Sequence, residues 1–182
     1  LEQLQCNHND QDLQQITHPQ KRREWLSSRL LVKSLTELLG LAYHGTYKDA
    51  HGKLFLQNHE AEISITHSLD YVAGIIHQTK EIGIDIEAIH PKLQRTARKY
   101  LENAELNHAQ DDLQILAMYW CAKEAMYKLH GKNKVSFKDN IRIAPFHRDQ
   151  NQLSGQIIGI PQLISSTLLV RWFDAYCLVV AI

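Results

Sequence analysis

The chain has 182 residues, of which 22% are charged and 44% hydrophobic, and its formal net charge is zero. This composition is typical of a soluble globular protein, and the length allows one domain or two small lobes. A net charge of zero gives no overall field that would attract nucleic acid or a membrane surface, so any anion site must be local. No apolar run approaches the length of a membrane span, and no signal peptide is recognisable.

The cysteines indicate a reducing compartment. Cys6, Cys121 and Cys177 are odd in number and widely spaced, without a C-x-x-C motif. This pattern fits reduced thiols better than a disulfide framework or a zinc site. The eleven histidines also lack a recognisable metal-binding spacing. We therefore expect a cytoplasmic protein.

The first strongly periodic segment predicts a long helix. Residues 17–20, Thr-His-Pro-Gln, have the pattern of a capping box with proline in the first turn, and the helix should run to about Leu39 with Gly40 as its C-cap. Its apolar face would consist of Trp25, Leu31, Val32, Leu35, Leu38 and Leu39. Lys21, Arg22 and Arg23 lie in the first turn, where positive charge opposes the helix dipole. They form either a solvated basic turn or the docking point of an anionic ligand.

Short strands should follow this helix. Their predicted ranges are 41–47, 53–56, 62–65, 71–78 and 81–87. The turn Thr79-Lys80 predicts that the last two pair as an antiparallel hairpin. Between strands lie Thr66, His67 and Ser68, whose side chains could bind a phosphate group or cap the next turn.

The stretch Ile82–Ala88 alternates strictly between apolar and other residues, the period of a half-buried strand. Its isoleucines would face a core, and Asp85 and Glu87 would share the other face. Two carboxylates two positions apart lie about 6–7 Å from each other along a strand. They raise each other's pKa unless a cation lies between them, and Mg²⁺ prefers such oxygen ligands. The alternative is that Asp85 and Glu87 form the solvated face of an edge strand.

Three helices are predicted next. Pro91 ends the strand and leads into a helix up to about Leu101, and Asn103 would cap a short helix that carries Glu105. Asp111 or Asp112 would cap a long helix from about Leu113 to Leu129, with Gly131 after it.

The long helix places a carboxylate on its apolar side. At 100° per residue, Leu113, Leu116, Ala117 and Trp120 form one stripe, and Glu124 lies nearly in line with it. A buried carboxylate is costly unless it is paired or bound to a metal. The position of Glu124 therefore indicates either a functional site in this half of the helix or an ion pair with a lysine.

The remaining chain predicts strands near 135–137, 141–144, 153–160, 168–173 and 176–182. Helix followed by strands thus occurs twice, which suggests an α+β fold with two lobes. We place the N-terminal lobe at residues 1–88 and the C-terminal lobe at residues 89–182, with the segment 82–87 near the seam.

Three stretches together resemble one family, the phosphopantetheinyl transferases that serve carrier proteins. Residues 83–87 (GIDIE) resemble its G-x-D-x-E strand, residues 120–128 (WCAKEAMYK) its W-x-x-K-E-A-x-x-K helix, and residues 64–68 (SITHS) its N-I-S-H-S segment. Weaker similarities are Gly52-Lys53, where the family has G-K-P, and the segment from Tyr100 to Glu105. The resemblance implies the 4′-phosphopantetheinyl transferase fold, two similar α+β lobes with pseudo-twofold symmetry and coenzyme A between them.

The resemblance also implies an activity. Such enzymes transfer the 4′-phosphopantetheine arm of coenzyme A to a serine of an apo acyl or peptidyl carrier protein and release 3′,5′-ADP. In the family, the carboxylates that match Asp85, Glu87 and Glu124 hold Mg²⁺ on the pyrophosphate. Lys123 and Lys128 would bind the same phosphates, and Glu124 is the best candidate for deprotonating the serine.

The resemblance assigns the nucleotide side of coenzyme A to Lys53, Thr66, His67 and, in a segment without a sharp motif, Arg23. The sequence departs from the family pattern here. Ser64 and Thr66 replace the asparagine and first serine of N-I-S-H-S, and Leu54 replaces the proline of G-K-P. None of these departures removes a metal ligand.

Carrier proteins are generally acidic around the modified serine, so a basic or apolar surface should flank the metal site. Arg95, Arg98 and Lys99, together with the apolar Leu93 and Leu101, are the favoured candidate. The second candidate is Lys132 with Lys134. Two lobes in one chain favour a monomer, with no nucleic-acid or membrane partner.

Two other functions remain open at this point. One is a non-catalytic relative that binds coenzyme A or a carrier protein, and the other is a metal-dependent phosphohydrolase built on the same carboxylates. The sequence does not indicate which carrier protein is modified or whether acyl-coenzyme A is accepted.

Overall fold

A computed structural model describes residues 10–132 and 135–182, so Cys6 and Lys134 lie outside the described residues. The helices are α1 (Asp10–Gln15), α2 (Pro19–Leu38), α3 (Lys92–Tyr100), α4 (Asn103–Ala109) and α5 (Leu113–His130). The strands are β1 (Thr46–Lys48), β2 (Leu54–Leu56), β3 (Glu62–Ser68), β4 (Tyr71–His77), β5 (Gly83–Ala88), β6 (Ile141–Ile143), β7 (Gln152–Ile157), β8 (Ile164–Phe173) and β9 (Tyr176–Ala181). The predicted α+β class is confirmed.

The strands form two antiparallel sheets, with orders β1-β2-β3-β4 and β5-β9-β8-β7-β6. The predicted hairpin between residues 71–78 and 81–87 is wrong, because β4 pairs with β3 and β5 pairs with β9. The ring of His77 accepts hydrogen bonds from the backbone amides of Thr79 and Lys80. The linker between β4 and β5 is therefore held by a side chain and not by hydrogen bonds between the two strands. As a result, β5 joins the sheet of the C-terminal half, although the predicted lobe boundary placed it in the first lobe.

Helix α2 packs on the first sheet where β4 carries a glycine. A Cβ on Gly74 would lie 3.1 Å from Leu31 and 3.2 Å from Leu35, so the missing side chain lets the helix approach. The proline at the first helical position is confirmed, but the predicted capping box is not formed, because His18 is the N-cap and makes no side-chain capping bond.

Gly40 terminates α2, as predicted. Its φ is +74°, and its amide donates to Glu37 O while that of Leu41 donates to Thr36 O, which together make a Schellman motif. Leu38 and Leu39 are exposed rather than part of the apolar face, because the contact with the sheet is made earlier, around Leu31 and Leu35.

Helix α5 is the centre of the larger core. Asp112 caps its first turn by accepting from the amides of Gln114 and Ile115, and Gly131 ends it with φ +64°, both as predicted. The helix is buried on more than one face, and not only along the apolar stripe that the sequence predicted. Its buried residues are Leu116, Ala117, Met118, Tyr119, Cys121, Ala122, Lys123, Ala125, Met126 and Leu129. Gly83 of β5 lies against the helix backbone, where a Cβ would collide with Ala125 O.

The two sheets meet along the outer edge of β5. Three backbone amides of β5 donate to hydroxyl groups of β3, and we call this arrangement the hydroxyl ladder: Ile84 N to Ser64 Oγ (3.1 Å), Ile86 N to Thr66 Oγ1 (3.4 Å) and Ala88 N to Ser68 Oγ (3.4 Å). Residues 66–68 therefore lie within β3 and not between strands, as the sequence had suggested. The buried hydroxyls satisfy an edge that would otherwise present unpaired amides.

Two smaller predictions differ from the structure. The strand expected near 135–137 is not formed. Glu102 rather than Asn103 caps α4, in a capping box with Glu105. In the part of the chain that the structure describes, no helix combines the length and apolar character that a membrane span requires.

Candidate functional site

A cleft of about 1070 Å³ lies between α2, the first sheet, β5 and the C-terminal half of α5. Of the residues predicted from the sequence to form the site, seven line this cleft: Lys53, Thr66, His67, Asp85, Glu87, Glu124 and Lys128. Lys123 and Arg23 do not line it. The structure thus brings together all three predicted metal-binding carboxylates and one of the two predicted phosphate-binding lysines.

Asp85 is held by partners from both halves of the chain. Its Oδ1 accepts a hydrogen bond from Thr66 Oγ1 at 2.8 Å and forms an ion pair with Lys128 Nζ at 2.7 Å. Lys128 Nζ also donates to Ile84 O at 3.0 Å. Asp85 is buried, so it does not belong to the solvated face of an edge strand.

Glu87 is fixed by the next member of the hydroxyl ladder. Ser68 Oγ donates to Glu87 Oε1 at 3.1 Å and also accepts from the amide of Ala88. Thr66 acts in the same way, because it donates to Asp85 and accepts from Ile86 N. Each of these hydroxyls therefore orients a carboxylate and satisfies the backbone beside it.

Glu124 faces the same cleft from α5. Burial raises the pKa of its carboxyl group from the ordinary value of 4.5 to about 7. The negative charges of Asp85 and Glu87 add to this effect, and the ammonium group of Lys128 opposes it. The positive charge of Lys128 is thus too small to offset the burial of Glu124 and the two neighbouring negative charges.

The carboxylates fit a cation that is shared with a phosphate ligand. Among residues 10–132 and 135–182, no three His, Cys, Asp or Glu side chains form a ready-made metal cage. Mg²⁺ is usually bound by one or two carboxylates, with water and substrate phosphates completing its octahedron. The oxygen donors of Asp85, Glu87 and Glu124, with the raised pKa of Glu124, match that type of site.

Lys123 is engaged elsewhere. Its side chain is 0% exposed, and its Nζ lies 2.7 Å from Glu105 Oε2 and donates to Phe137 O (2.8 Å) and Ile141 O (2.7 Å). Burial lowers the pKa of Lys123, and the hydrogen bond and charge of Glu105 oppose that shift. All the donor capacity of the ammonium group is used here, which leaves none for a phosphate in the cleft.

Basic side chains line the parts of the cleft formed by α2 and the β1–β2 hairpin. Lys53 Nζ forms an ion pair with Glu62 at 2.8 Å, and its side chain passes close to Gly131. The side chain of His67 is about half exposed, and its Nδ1 lies 3.7 Å from Glu24 Oε2. The lining also includes Arg29, Lys48 and His51, which the sequence analysis did not name, and Lys21 of the basic first turn of α2.

Arg29 is the most informative residue that the sequence analysis missed. It lies one helical turn after Trp25, with its guanidinium 4.8 Å from the centre of the indole ring. The i,i+4 spacing of Trp25 and Arg29 could have signalled this pair. Arg23, in contrast, is exposed, and Arg22 donates to Leu13 O.

Comparisons with known proteins agree with this geometry. Curated relatives are 29% identical over 119 residues: the 4′-phosphopantetheinyl transferases AcpT of Salmonella typhi and of Escherichia coli strain K12. The aligned region covers 61% of this chain and spans about 60% of the length of these relatives. A family model described as the 4′-phosphopantetheinyl transferase superfamily matches residues 81–181, from the start of the carboxylate strand to the last strand. Because this match covers more than half of the chain and includes Asp85, Glu87 and Glu124, the protein belongs to the 4′-phosphopantetheinyl transferase superfamily.

Proposed function

We propose that the protein transfers the 4′-phosphopantetheine arm of coenzyme A to a serine of an apo carrier protein in the presence of Mg²⁺, and releases 3′,5′-ADP. The observation that carries this proposal is the convergence of Asp85, Glu87, Glu124 and Lys128 in one cleft of a chain that belongs to the superfamily. The cleft also has the volume and the basic lining that a phosphorylated nucleotide requires.

Each residue of the cleft has a role in this proposal. Asp85, Glu87 and Glu124 would hold Mg²⁺, which would neutralise charge that develops on the 5′-phosphate of the leaving 3′,5′-ADP. Lys128 donates to a phosphate oxygen as a point charge. Glu124 also accepts the proton of the acceptor serine, directly or through a water molecule. Lys123 has no direct role and holds α5 in position through its buried ion pair.

The lining also suggests how coenzyme A is oriented. Lys53 lies beside Gly131, which ends α5, and Lys48 and His51 of the same β1–β2 hairpin also line the cleft. In this proposal the reacting phosphate lies beside the carboxylates, and the 3′-phosphate lies beside His67. In both halves of the chain a long helix packs on an antiparallel sheet. This supports a two-lobed arrangement with pseudo-twofold symmetry.

The experiment that tests the function is mass spectrometry of an apo acyl carrier protein after incubation with this protein, coenzyme A and Mg²⁺. The expected result is a mass gain of one phosphopantetheine group on the carrier, which is lost when Mg²⁺ is removed by a chelator. Binding of coenzyme A without a mass gain would favour a non-catalytic relative. Consumption of coenzyme A without modification of the carrier would favour a phosphohydrolase.

One prediction concerns the ligand of His67. Replacing His67 with alanine is expected to weaken coenzyme A binding by about 1–3 kcal/mol, because a charge-assisted contact with the 3′-phosphate is lost. Isothermal titration calorimetry should show weaker binding of dephospho-coenzyme A to the wild type and almost no further loss in the variant. Equal losses for both ligands would place His67 away from the 3′-phosphate. His147→Ala, a change at an exposed histidine that does not line the cleft, is the control.

A second prediction concerns the basic face of α3. Arg95, Arg98 and Lys99 are exposed, as a docking surface requires, but Leu93 and Leu101 are buried and cannot contribute the expected apolar contacts. Reversing Arg95 and Arg98 to glutamate is expected to raise KM for the carrier protein and to leave coenzyme A affinity unchanged. Added salt should have the same effect on the wild type, because exposed charges are screened beyond about 8–10 Å at physiological ionic strength.

The control for this prediction is Lys132→Glu, a reversal at the exposed residue of the second basic candidate. If that change alone raises KM for the carrier protein, docking involves the segment after α5 and not α3. Cytoplasmic location and a monomeric state remain predictions from the sequence.

A further inference from the structure

An exposed leucine occupies a strained position close to the carboxylates. Leu69 begins the two-residue turn between β3 and β4, where its φ is +49°, and it is 63% exposed. Left-handed backbone conformations are unfavourable for a branched side chain, and glycine, asparagine or aspartate normally occupies them. The leucine at this position is therefore explained neither by burial of its side chain nor by a preference of leucine for this backbone conformation.

The neighbouring hairpin provides a direct comparison. The turn between β8 and β9 also has two residues, and its first residue is Asp174, with φ +50°. The chain thus places a well-suited residue in one turn and a poorly suited, apolar residue in the adjacent one. Strained residues of this kind persist where the side chain contributes to function.

Leu69 belongs to a larger apolar surface. The rings of Tyr71 and Tyr176 meet edge to face, with centroids 4.7 Å apart, which joins the two hairpins side by side. Phe173 pairs with Tyr176 across β8 and β9. Phe173 is 49% exposed and Tyr71 is 40% exposed. We call Leu69, Tyr71, Phe173 and Tyr176 the apolar rim.

The apolar rim borders the site without lining the cleft. Ser68, the residue before Leu69, donates to Glu87 Oε1, and Tyr176 pairs with Ala88, the residue after Glu87. None of the four rim residues belongs to the cleft lining. A small ligand in the cleft therefore leaves the rim uncovered and available to a macromolecule.

The apolar rim is also continuous with the basic face of α3. Ile89 N donates to Ala175 O in the β8–β9 turn at 2.8 Å, and the exposed Lys92 and Arg95 follow directly. This side of the molecule thus combines exposed aromatic and aliphatic groups with a cationic helix. Its complement is an acidic protein surface that presents apolar side chains beside the reacting group.

We propose that Leu69 and the apolar rim contact the carrier protein next to its acceptor serine, and that they supply the apolar part of a docking surface whose charged part is α3. This inference rests on the function proposed above. It also explains how docking includes apolar contacts although Leu93 and Leu101 are buried.

The test is a kinetic comparison of Leu69→Asn with the wild type, using an apo acyl carrier protein with an acidic surface around its serine. Asparagine suits the left-handed turn but removes the apolar contact. We expect KM for the carrier protein to rise about five- to tenfold, since a few well-packed side chains dominate most interfaces. The melting temperature should be unchanged or higher, and KM for coenzyme A should not change.

Three further variants make the result specific. Leu69→Met keeps an apolar side chain and should keep KM for the carrier protein near the wild-type value. Leu163→Ala removes an exposed leucine at the opposite end of β8, and Asn58→Gly changes a left-handed residue at the opposite end of β3. Neither of these two control variants should change KM for the carrier protein.

Two outcomes would overturn the inference. One is an unchanged KM for the carrier protein in Leu69→Asn, and the other is an equal rise in Leu69→Met, which would indicate a change in the turn and not a lost contact. Failure of the proposed function gives a different result, because the wild-type protein would then transfer no phosphopantetheine to the carrier.

Discussion

Replacing Glu124 with glutamine is expected to abolish Mg²⁺-dependent transfer while the protein remains folded. In the proposed mechanism the change removes a charged metal-binding oxygen and the group that accepts the serine proton. General-base catalysis alone typically contributes about 10²- to 10⁴-fold to the rate. Mass spectrometry of the carrier protein over a time course measures the loss. A variant with unchanged turnover would remove Glu124 from the site.

The same variant has a stability effect whose sign follows from the pKa. Folding raises the pKa of Glu124 from 4.5 to about 7, so the metal-free folded state disfavours the charged form. The stability that the neutral form contributes is present below pH 4.5 and is lost as the pH rises through 7. In the presence of a chelator, Glu124→Gln should therefore be more stable than the wild type at pH 8 and nearly equal to it close to pH 4.5.

Magnesium provides the control for this stability effect. A ligand that binds only the folded state stabilises it by mass action. Urea titrations at pH 8 should show that Mg²⁺ stabilises the wild type, and Glu124→Gln much less. An equal response of both proteins to Mg²⁺ would show that Glu124 does not hold the ion.

The second large effect is expected at Lys123. Lys123→Met leaves the carboxylate of Glu105, which is 3% exposed, without its cation and leaves two backbone carbonyl groups without a donor. Breaking a buried ion pair by removing one partner typically costs about 3–5 kcal/mol. The free energy of unfolding, measured by urea denaturation, should fall by an amount in this range.

A double-mutant cycle separates the ion pair from other effects. Glu105 accepts from the amides of Glu102 and Ile143 as well as pairing with Lys123, and glutamine retains one acceptor oxygen. The double variant Lys123→Met with Glu105→Gln should lose less stability than the sum of the single variants. Lys33→Met is the control, because its surface ion pair with Glu37, whose side chain is 54% exposed, should contribute about 1 kcal/mol or less. A similar loss in both lysine variants would contradict the structural role of Lys123.

The local patterns were sufficient to predict the ends of α5 and the composition of the carboxylate site. Asp112 and Gly131 are caps whose chemistry lies within a few residues of the helix ends, and Asp85, Glu87 and Glu124 belong to short motifs. Such features depend on neighbours in the chain. All three carboxylates line the cleft, and it was the resemblance to the family that grouped them into one site.

The roles of Lys123 and Thr66 could not be derived in this way, because their partners are distant in the sequence. The ammonium group of Lys123 is bound by Glu105, Phe137 and Ile141, which belong to other elements. Thr66 donates to Asp85, which belongs to the other sheet. The pairing of β5 with β9 is also non-local, and the short linker after β4 made a hairpin with β4 the simpler prediction.

The hydroxyl ladder has a consequence for dissecting the protein into parts. The region that matches the superfamily starts at residue 81 and contains every carboxylate of the site, but Ser64, Thr66 and Ser68 precede it. A fragment cut at that point would keep Asp85, Glu87 and Glu124 and lose the groups that orient Asp85 and Glu87. It would also expose the amides of β5 as an open edge, which invites pairing with the same edge of a second fragment. The catalytic motif is therefore expected to self-associate when it is expressed without the strand that precedes it.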